Sequence, residues 1–176
     1  MRHITIGFSR PKESNVISNL IMKAQGANFS HVYMSFKSNS LDRTLIYQAN
    51  RSGVWFIGKD RFAEHNEVVD YFVLSLTEEQ YKIALQACVD LSGLKYGFLA
   101  LTGIGIEKLL RLLKIRSKNP LVQKNRYICS KLIGFILEII GIDVPEDLDE
   151  VTPKDLHSLL LGFEGPIKVI HGKTDK

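Results

Sequence analysis

The chain has 176 residues, of which 45% are hydrophobic and 24% charged, and its formal net charge is +4. These values suit one globular domain, 1–176, with a single sizeable core, and the small positive charge does not by itself indicate an anionic partner. Two cysteines are too few for a disulfide framework, which favours a reducing compartment.

The amino-terminal residues predict a strand, at 3–8, rather than a targeting segment. They contain neither an apolar signal-peptide core nor a small-residue cleavage site. The most apolar region, 98–106, is too short to span a bilayer and is followed at once by Glu107 and Lys108. We therefore expect a cytoplasmic protein, with export by another route left open.

The first half of the chain predicts a helix followed by an antiparallel meander. Ser14 is a candidate cap for a helix that ends at Gly26. The apolar positions of this helix are Val16, Ile17, Leu20, Ile21 and Ala24. Strands follow at 29–36, 44–50 and 54–57, where β-branched and aromatic residues are frequent. Their connections are too short for crossovers, so neighbouring strands are expected to run antiparallel.

The middle of the chain predicts a further strand and a helix. A short helical turn at 60–65 and a strand at 68–76 lead to a capping box, Thr77 to Gln80, which begins the helix. Cys88 lies in the apolar stripe of this helix, where a buried structural thiol is the expected role.

The last segments complete an α+β fold. Thr152 and Pro153 begin another helix, 167–170 predicts a last strand, and the chain is expected to fray from Gly172. The predicted fold class is therefore α+β, a small antiparallel sheet packed against helices.

An apolar helical stretch at 98–113 leads into a cluster of basic residues around Asn119 and Pro120. The cluster consists of Arg111, Lys114, Arg116, Lys118, Lys124 and Arg126. It could contact phosphates, lipid headgroups or a membrane surface, but such a cluster is more often a solvated loop, and the stretch before it is equally well a core helix. No nucleic-acid-binding module accompanies it, so nucleic acid is not an expected partner. The oligomeric state is not predicted.

The segment 125–133 places a cysteine at the start of a strongly apolar predicted helix. Asn125 can cap this helix, and apolar residues recur at helical spacing as far as Gly141. Cys129 then lies in the first turn, where the helix dipole lowers the pKa of a thiol. A cysteine in this position is either an active-site nucleophile or a small buried core residue.

His31 lies inside a predicted strand among aromatic and aliphatic residues, so it is expected to be at least half buried. A period of two puts His31, Tyr33 and Ser35 on one face and Val32, Met34 and Phe36 on the other. Gln48 lies on the next strand, within about 5 Å if the two side chains share a face. Its carbonyl can then accept the imidazole N–H and fix the ring's orientation. The alternatives are a structural histidine and a solvated glutamine.

Sequence spacing gives no support for a metal or a cofactor. CxxC, HxxxH and HxH pairs are missing from the sequence, and zinc would need four ligands from scattered single residues, so no zinc site is expected. His65 and His157 lie in polar or amphipathic segments and are expected at the surface, and His3 and His171 are near the termini. No glycine-rich phosphate loop follows a strand, and Ser130 is not in a nucleophile elbow.

Several segments taken together resemble a known family. They are Phe29-Ser30-His31-Val32, Ile46-Tyr47-Gln48-Ala49, Gly93-Leu94-Lys95-Tyr96-Gly97, Tyr127-Ile128-Cys129-Ser130-Lys131-Leu132 and Thr152-Pro153-Lys154-Asp155-Leu156. The pattern is similar to the circularly permuted branch of the NlpC-type papain-like superfamily, the YiiX-like group, which is related to lecithin:retinol acyltransferase. In that branch the histidine strand precedes the cysteine helix, as it does in this chain.

The resemblance implies a permuted papain-like fold with Cys129 as nucleophile, His31 as general base and Gln48 as the third polar residue. The family commonly has a glutamate in the place of Gln48, so this chain keeps an acceptor but loses a charge. A cysteine hydrolase of the peptidase or amidase type is implied, with peptide amide bonds of the cell wall as the first substrate and no cofactor. The alternatives are a lipid ester or amide hydrolase or acyltransferase, and a non-catalytic binding or structural protein on the same fold.

Overall fold

A computed structural model describes residues 1–13, 15–50, 52–94, 128–144, 147–148 and 150–173 of the chain. The strands in these residues are β1 Arg2–Pro11, β2 His31–Ser38, β3 Arg43–Asn50, β4 Gly53–Gly58, β5 Asn66–Leu76 and β6 Lys168–Lys173. The helices are α1 Val16–Gln25, α2 Lys59–His65, α3 Glu78–Leu91, α4 Ile128–Ile139 and α5 Pro153–Leu161.

The six strands form one sheet in the order β4-β3-β2-β1-β5-β6. Every neighbouring pair is antiparallel. The short connections between β2, β3 and β4 produce the predicted meander, because each strand folds back directly onto the one before it. The expected α+β class, an antiparallel sheet packed against helices, is confirmed.

The sheet has two differently covered faces. The larger core buries residues of α3, α4 and α5 together with one set of alternating strand residues, among them Phe8, Val32 and Phe72. The opposite face holds a smaller cluster in which Phe62 of α2 packs against Tyr33 and Ile46. The alternation predicted for β2 is therefore observed, with Val32 and Tyr33 on opposite faces.

The helix starts of α3 and α5 follow the predicted capping signals, and that of α1 differs from the prediction. Thr77 and Gln80 form the expected capping box at α3, and Thr152 forms a second one with Asp155 at α5. At α1 the cap is Asn15, whose side chain accepts from two backbone N–H groups, and Ser14 lies outside the described residues. Each cap satisfies N–H groups that a helix start otherwise leaves unpaired.

One expectation about the carboxyl terminus was wrong. The last strand reaches Lys173, so Gly172 is paired in β6 rather than frayed. Backbone pairing with β5 explains this error, because sheet hydrogen bonds hold residues that their own sequence would leave loose. The predicted helix α1 is present, but its apolar residues are largely exposed: Val16 is 75% exposed, and Ile17 and Leu20 are exposed as well.

Several predictions fall on residues that the structure does not describe. These are the cap at Asn125, the break at 95–97, the apolar stretch 98–113 and the basic cluster around Asn119 and Pro120. Among the described residues, no helix is both long enough and apolar enough to cross a membrane.

Candidate active site

The antiparallel meander brings His31 and Gln48 together, as predicted. His31 is the first residue of β2 and Gln48 lies in β3, so the two side chains project on the same face of adjacent strands. His31 Nε2 lies 2.8 Å from Gln48 Oε1. An amide oxygen only accepts hydrogen bonds, so Nε2–H donates and Nδ1 is the ring nitrogen left unprotonated in the neutral imidazole.

Cys129 lies against the free side of the His31 imidazole. It is the second residue of α4 and is partly exposed. A hydrogen bond joins its thiol to His31, whose Nε2 is already occupied by Gln48. Nδ1 is therefore the nitrogen that faces the sulfur, and the three side chains form a line from thiol to imidazole to amide.

The surroundings of Cys129 favour its ionised form. Burial opposes the thiolate, but the positive charge of His31, the hydrogen bond from His31 and backbone N–H groups of Val32 and Ser130 outweigh it. Together they hold the pKa of the Cys129 thiol below its ordinary value. The start of α4 acts in the same direction, because the helix dipole favours negative charge there.

His31 shows the complementary shift. Burial disfavours the imidazolium, but the thiolate charge of Cys129 and hydrogen bonds to Cys129 and Gln48 raise the pKa of His31 above its ordinary value. A thiol pKa that moves down beside an imidazole pKa that moves up favours the thiolate–imidazolium pair. The arrangement can therefore deprotonate the thiol and later return that proton to a leaving group.

The His31 ring packs against an aromatic pair, Phe62 and Tyr33. Phe62 of α2 stacks on it at 29°, with ring centroids 6.4 Å apart, and the Tyr33 ring packs on Phe62 with centroids 4.6 Å apart. Burial raises the pKa of Tyr33 to about 12, so its hydroxyl stays neutral. A Cβ at Gly7 would overlap the Tyr33 ring, which explains why a glycine occupies this position in β1. Sequence reasoning missed Phe62, since a phenylalanine in a short helix carries no functional signal.

The three polar side chains open into a cleft of about 740 Å³. Its wall includes Trp55 of β4 and the exposed α1 residue Ile17, together with Ile21. Part of the apolar face of α1 therefore borders the cleft. A ligand with an apolar part would find apolar side chains in the same cleft as Cys129.

The second cysteine has the structural role that the sequence predicted. Cys88 is fully buried in α3 among core side chains. Burial raises the pKa of its thiol well above the ordinary value, because the thiolate would lose its contact with solvent. The two thiols of the chain therefore differ in both exposure and acidity.

A second group of polar side chains comes together on the core face of the sheet. Asp70 of β5, His157 of α5 and His171 of β6 each offer one ligand atom, and these atoms lie within 4.8 Å of one another. His157 was expected at the surface, but it packs on three aromatic rings and is half-buried. The sequence spacing did not indicate this group, because the fold brings together ligand atoms that the sequence scatters.

Comparisons with known proteins bear on the fold. No protein-family profile matches the chain, and no curated protein matches it. The crystal structure of the metalloprotein yiiX from Escherichia coli O157:H7, a protein with the domain of unknown function DUF1105, superposes with a TM-score of 0.58. The alignment covers 98% of this chain and 96% of that one at 16% sequence identity. The chain therefore has a YiiX-like α+β fold.

Proposed function

We propose that the protein is a thiol-dependent hydrolase or acyl transferase in which Cys129 is the nucleophile. His31 acts as the general base and Gln48 fixes the orientation of the imidazole. The observation that carries the proposal is the hydrogen-bonded line from Cys129 through His31 to Gln48, at the base of an open cleft.

The proposed reaction has two halves. In the first, Nδ1 of His31 takes the thiol proton and the Cys129 sulfur attacks an amide or ester carbonyl, which forms a tetrahedral oxyanion. We expect backbone N–H groups at the start of α4 to stabilise that oxyanion. Collapse breaks the bond to the leaving amine or alcohol, which receives the proton from His31, and a thioester remains.

In the second half, water or another acceptor attacks the thioester. His31 removes the proton of the attacking group, and the Cys129 thiolate leaves and is reprotonated, so the free thiol returns. Hydrolysis and acyl transfer differ only in the acceptor. The cleft is open to solvent, so either water or another acceptor can reach the thioester.

Two substrate classes follow from different observations. The family resemblance supports amide bonds of cell-wall peptides as the first class. The exposed apolar face of α1 at the cleft supports the second class, lipid esters or amides, because an acyl chain could pack on Ile17 and Ile21. A non-catalytic protein on this fold remains as an outcome of the test.

The test is turnover of peptidoglycan fragments and of phospholipid vesicles by the full chain. We expect release of product from one of the two classes, and its loss in Cys129→Ala but not in Cys88→Ala. Cys88→Ala is a matched control because each variant removes one thiol, and of the two thiols Cys129 is the one hydrogen-bonded to a histidine. Equal turnover by Cys129→Ala would contradict the proposal, and so would the absence of turnover on both classes together with an unreactive Cys129.

A further inference from the structure

Three side chains from separate parts of the chain point their ligand atoms at one place beside the sheet. His157 Nε2 lies 2.9 Å from Asp70 Oδ2, and His171 Nε2 lies 2.8 Å from both oxygens of the same carboxylate. All three residues lie outside the line formed by Cys129, His31 and Gln48. They are therefore available for a separate task.

The two imidazoles are held in place by aromatic packing. The ring of His157 contacts Phe8, Phe29 and Phe72, with centroids 5.0 to 5.2 Å apart. The ring of His171 stacks on Phe72 at 4.7 Å and 17°. Rigid packing of this kind reduces the conformational entropy lost when both nitrogens bind one ligand.

The donor set is one that transition metals prefer. Imidazole nitrogen suits zinc, copper, iron and nickel, and two imidazoles with one carboxylate recur as a three-ligand set in catalytic zinc and iron sites. Ligand atoms around a tetrahedral zinc lie about 3.3 Å apart, since each bond is about 2.0–2.2 Å long. Each Nε2 lies 2.8–2.9 Å from a carboxylate oxygen, and the three ligand atoms all lie within 4.8 Å of one another, so the group has a size compatible with one ion.

The cluster is also accessible to an ion. The side chains of His157, Asp70 and His171 are 18%, 14% and 28% exposed, so one side of the group faces solvent. Three protein ligands with a solvent-facing side leave a coordination position for water or a further ligand. A fully closed site would instead use four protein ligands.

We propose that Asp70, His157 and His171 bind one divalent transition-metal ion, with Zn²⁺ the first expectation. The ion replaces the protons that otherwise lie between the carboxylate and the two Nε2 atoms. It joins α5 and the edge strand β6 to β5, and so ties the carboxyl-terminal segment to the strand next to that edge. This proposal does not depend on the chemistry of Cys129.

The test measures metal binding rather than activity. Tag-free full-length protein is treated with a chelator, equilibrated in turn with Zn²⁺, Co²⁺, Fe²⁺, Mn²⁺ and Ni²⁺, and analysed for bound metal by mass spectrometry. We expect one Zn²⁺ per chain and a higher melting temperature with Zn²⁺ than without it. Co²⁺ should give visible absorption bands of a nitrogen–oxygen site without a sulfur-to-cobalt charge-transfer band.

Four variants locate the site. Asp70→Asn and His171→Ala should weaken Zn²⁺ binding by more than about tenfold, while His65→Ala and Cys129→Ala should bind as the unmodified chain does. Asp70→Asn preserves the side-chain shape, and its circular dichroism spectrum shows whether the fold is intact. The proposal is overturned if the unmodified chain retains no metal, if Asp70→Asn and His171→Ala bind normally, or if Cys129→Ala loses the metal.

Discussion

Two histidine clusters lie on the same sheet but give their imidazoles different neighbours. His31 donates to a neutral amide, Gln48, and faces a thiol on its other nitrogen. His157 and His171 both direct Nε2 at the carboxylate of Asp70. A neutral acceptor orients a ring without fixing its charge, whereas a carboxylate between two rings favours a cation at that place. The partner of each imidazole is therefore the feature that distinguishes the proposed proton-transfer site from the proposed cation site.

The largest expected effect is the loss of the nucleophile. Cys129→Ala should lower turnover of the responsive substrate class by at least about 10³-fold, because no other group in the proposed mechanism forms the thioester. Steady-state rates on peptidoglycan fragments and phospholipids measure this effect. Cys88→Ala serves as the control and should retain turnover. Because Cys88 is fully buried, a circular dichroism melt confirms that this variant is folded at the assay temperature.

Changing the acceptor of His31 should have the next largest effect. Gln48→Ala leaves Nε2–H without its partner, and we expect the maximal rate to fall about 10²-fold with little change in KM. Gln48→Glu replaces the amide acceptor of His31 with a carboxylate. Its maximal rate should be close to that of the unmodified chain and well above that of Gln48→Ala, and the added negative charge should raise the pKa of His31 further. The pH profile of kcat/KM checks this shift. Equal profiles for Gln48→Glu and the unmodified chain would remove Gln48 from the mechanism.

The aromatic packing of Phe62 and Tyr33 near His31 can be tested by a substitution in β1, the strand that pairs with β2. Gly7→Ala introduces a Cβ that overlaps the buried Tyr33 ring, which packs on Phe62 beneath His31. We expect the free energy of unfolding to fall by about 1–3 kcal/mol, as in other overpacked cores. Urea denaturation measures the change. Gly58→Ala is the matched control, because a Cβ there has no atom within 4 Å to meet.

The smallest effect concerns the charge of Asp70 in chelator-treated protein. Burial opposes its ionisation, but hydrogen bonds from His157, His171 and the Tyr71 backbone hold the pKa of Asp70 below its ordinary value. A depressed carboxyl pKa stabilises the fold above the unfolded pKa of about 3.9, and that stability is lost as pH falls through the folded pKa.

Asp70→Asn should therefore lower the free energy of unfolding by about 1 kcal/mol at pH 7 and by less at pH 3. Urea denaturation at the two pH values provides the measurement. The prediction is contradicted if the difference in free energy of unfolding between Asp70→Asn and the unmodified chain is larger at pH 3 than at pH 7.

Residues close together in the sequence were enough to predict that His31 and Gln48 meet. His31 and Gln48 are only 17 residues apart, and a short turn forces their strands to pair. The capping boxes at Thr77 and Thr152 were equally readable, since each depends on residues three positions apart. The roles proposed for these residues stay predictions until they are tested.

The second cluster could not be predicted, because long-range pairing creates it. Asp70 and His171 are 101 residues apart and meet only when β6 pairs with β5. His157 looked like a surface residue because its segment is amphipathic, yet the aromatic residues that cover it come from β1 and β5. The sequence identified the apolar positions of α1 but could not show that they are exposed, since periodicity identifies a face and not what covers it.

The most direct test of the central claim is the pH dependence of iodoacetamide alkylation at Cys129, followed residue by residue by mass spectrometry. We predict that Cys129 reacts well below pH 8.5, that its rate falls at acidic pH as the thiolate is protonated, and that His31→Ala moves this transition upward. Cys88 in the same chain should stay unreactive while the protein is folded. A Cys129 that titrates near 8.5 and is unaffected by His31→Ala would contradict the account.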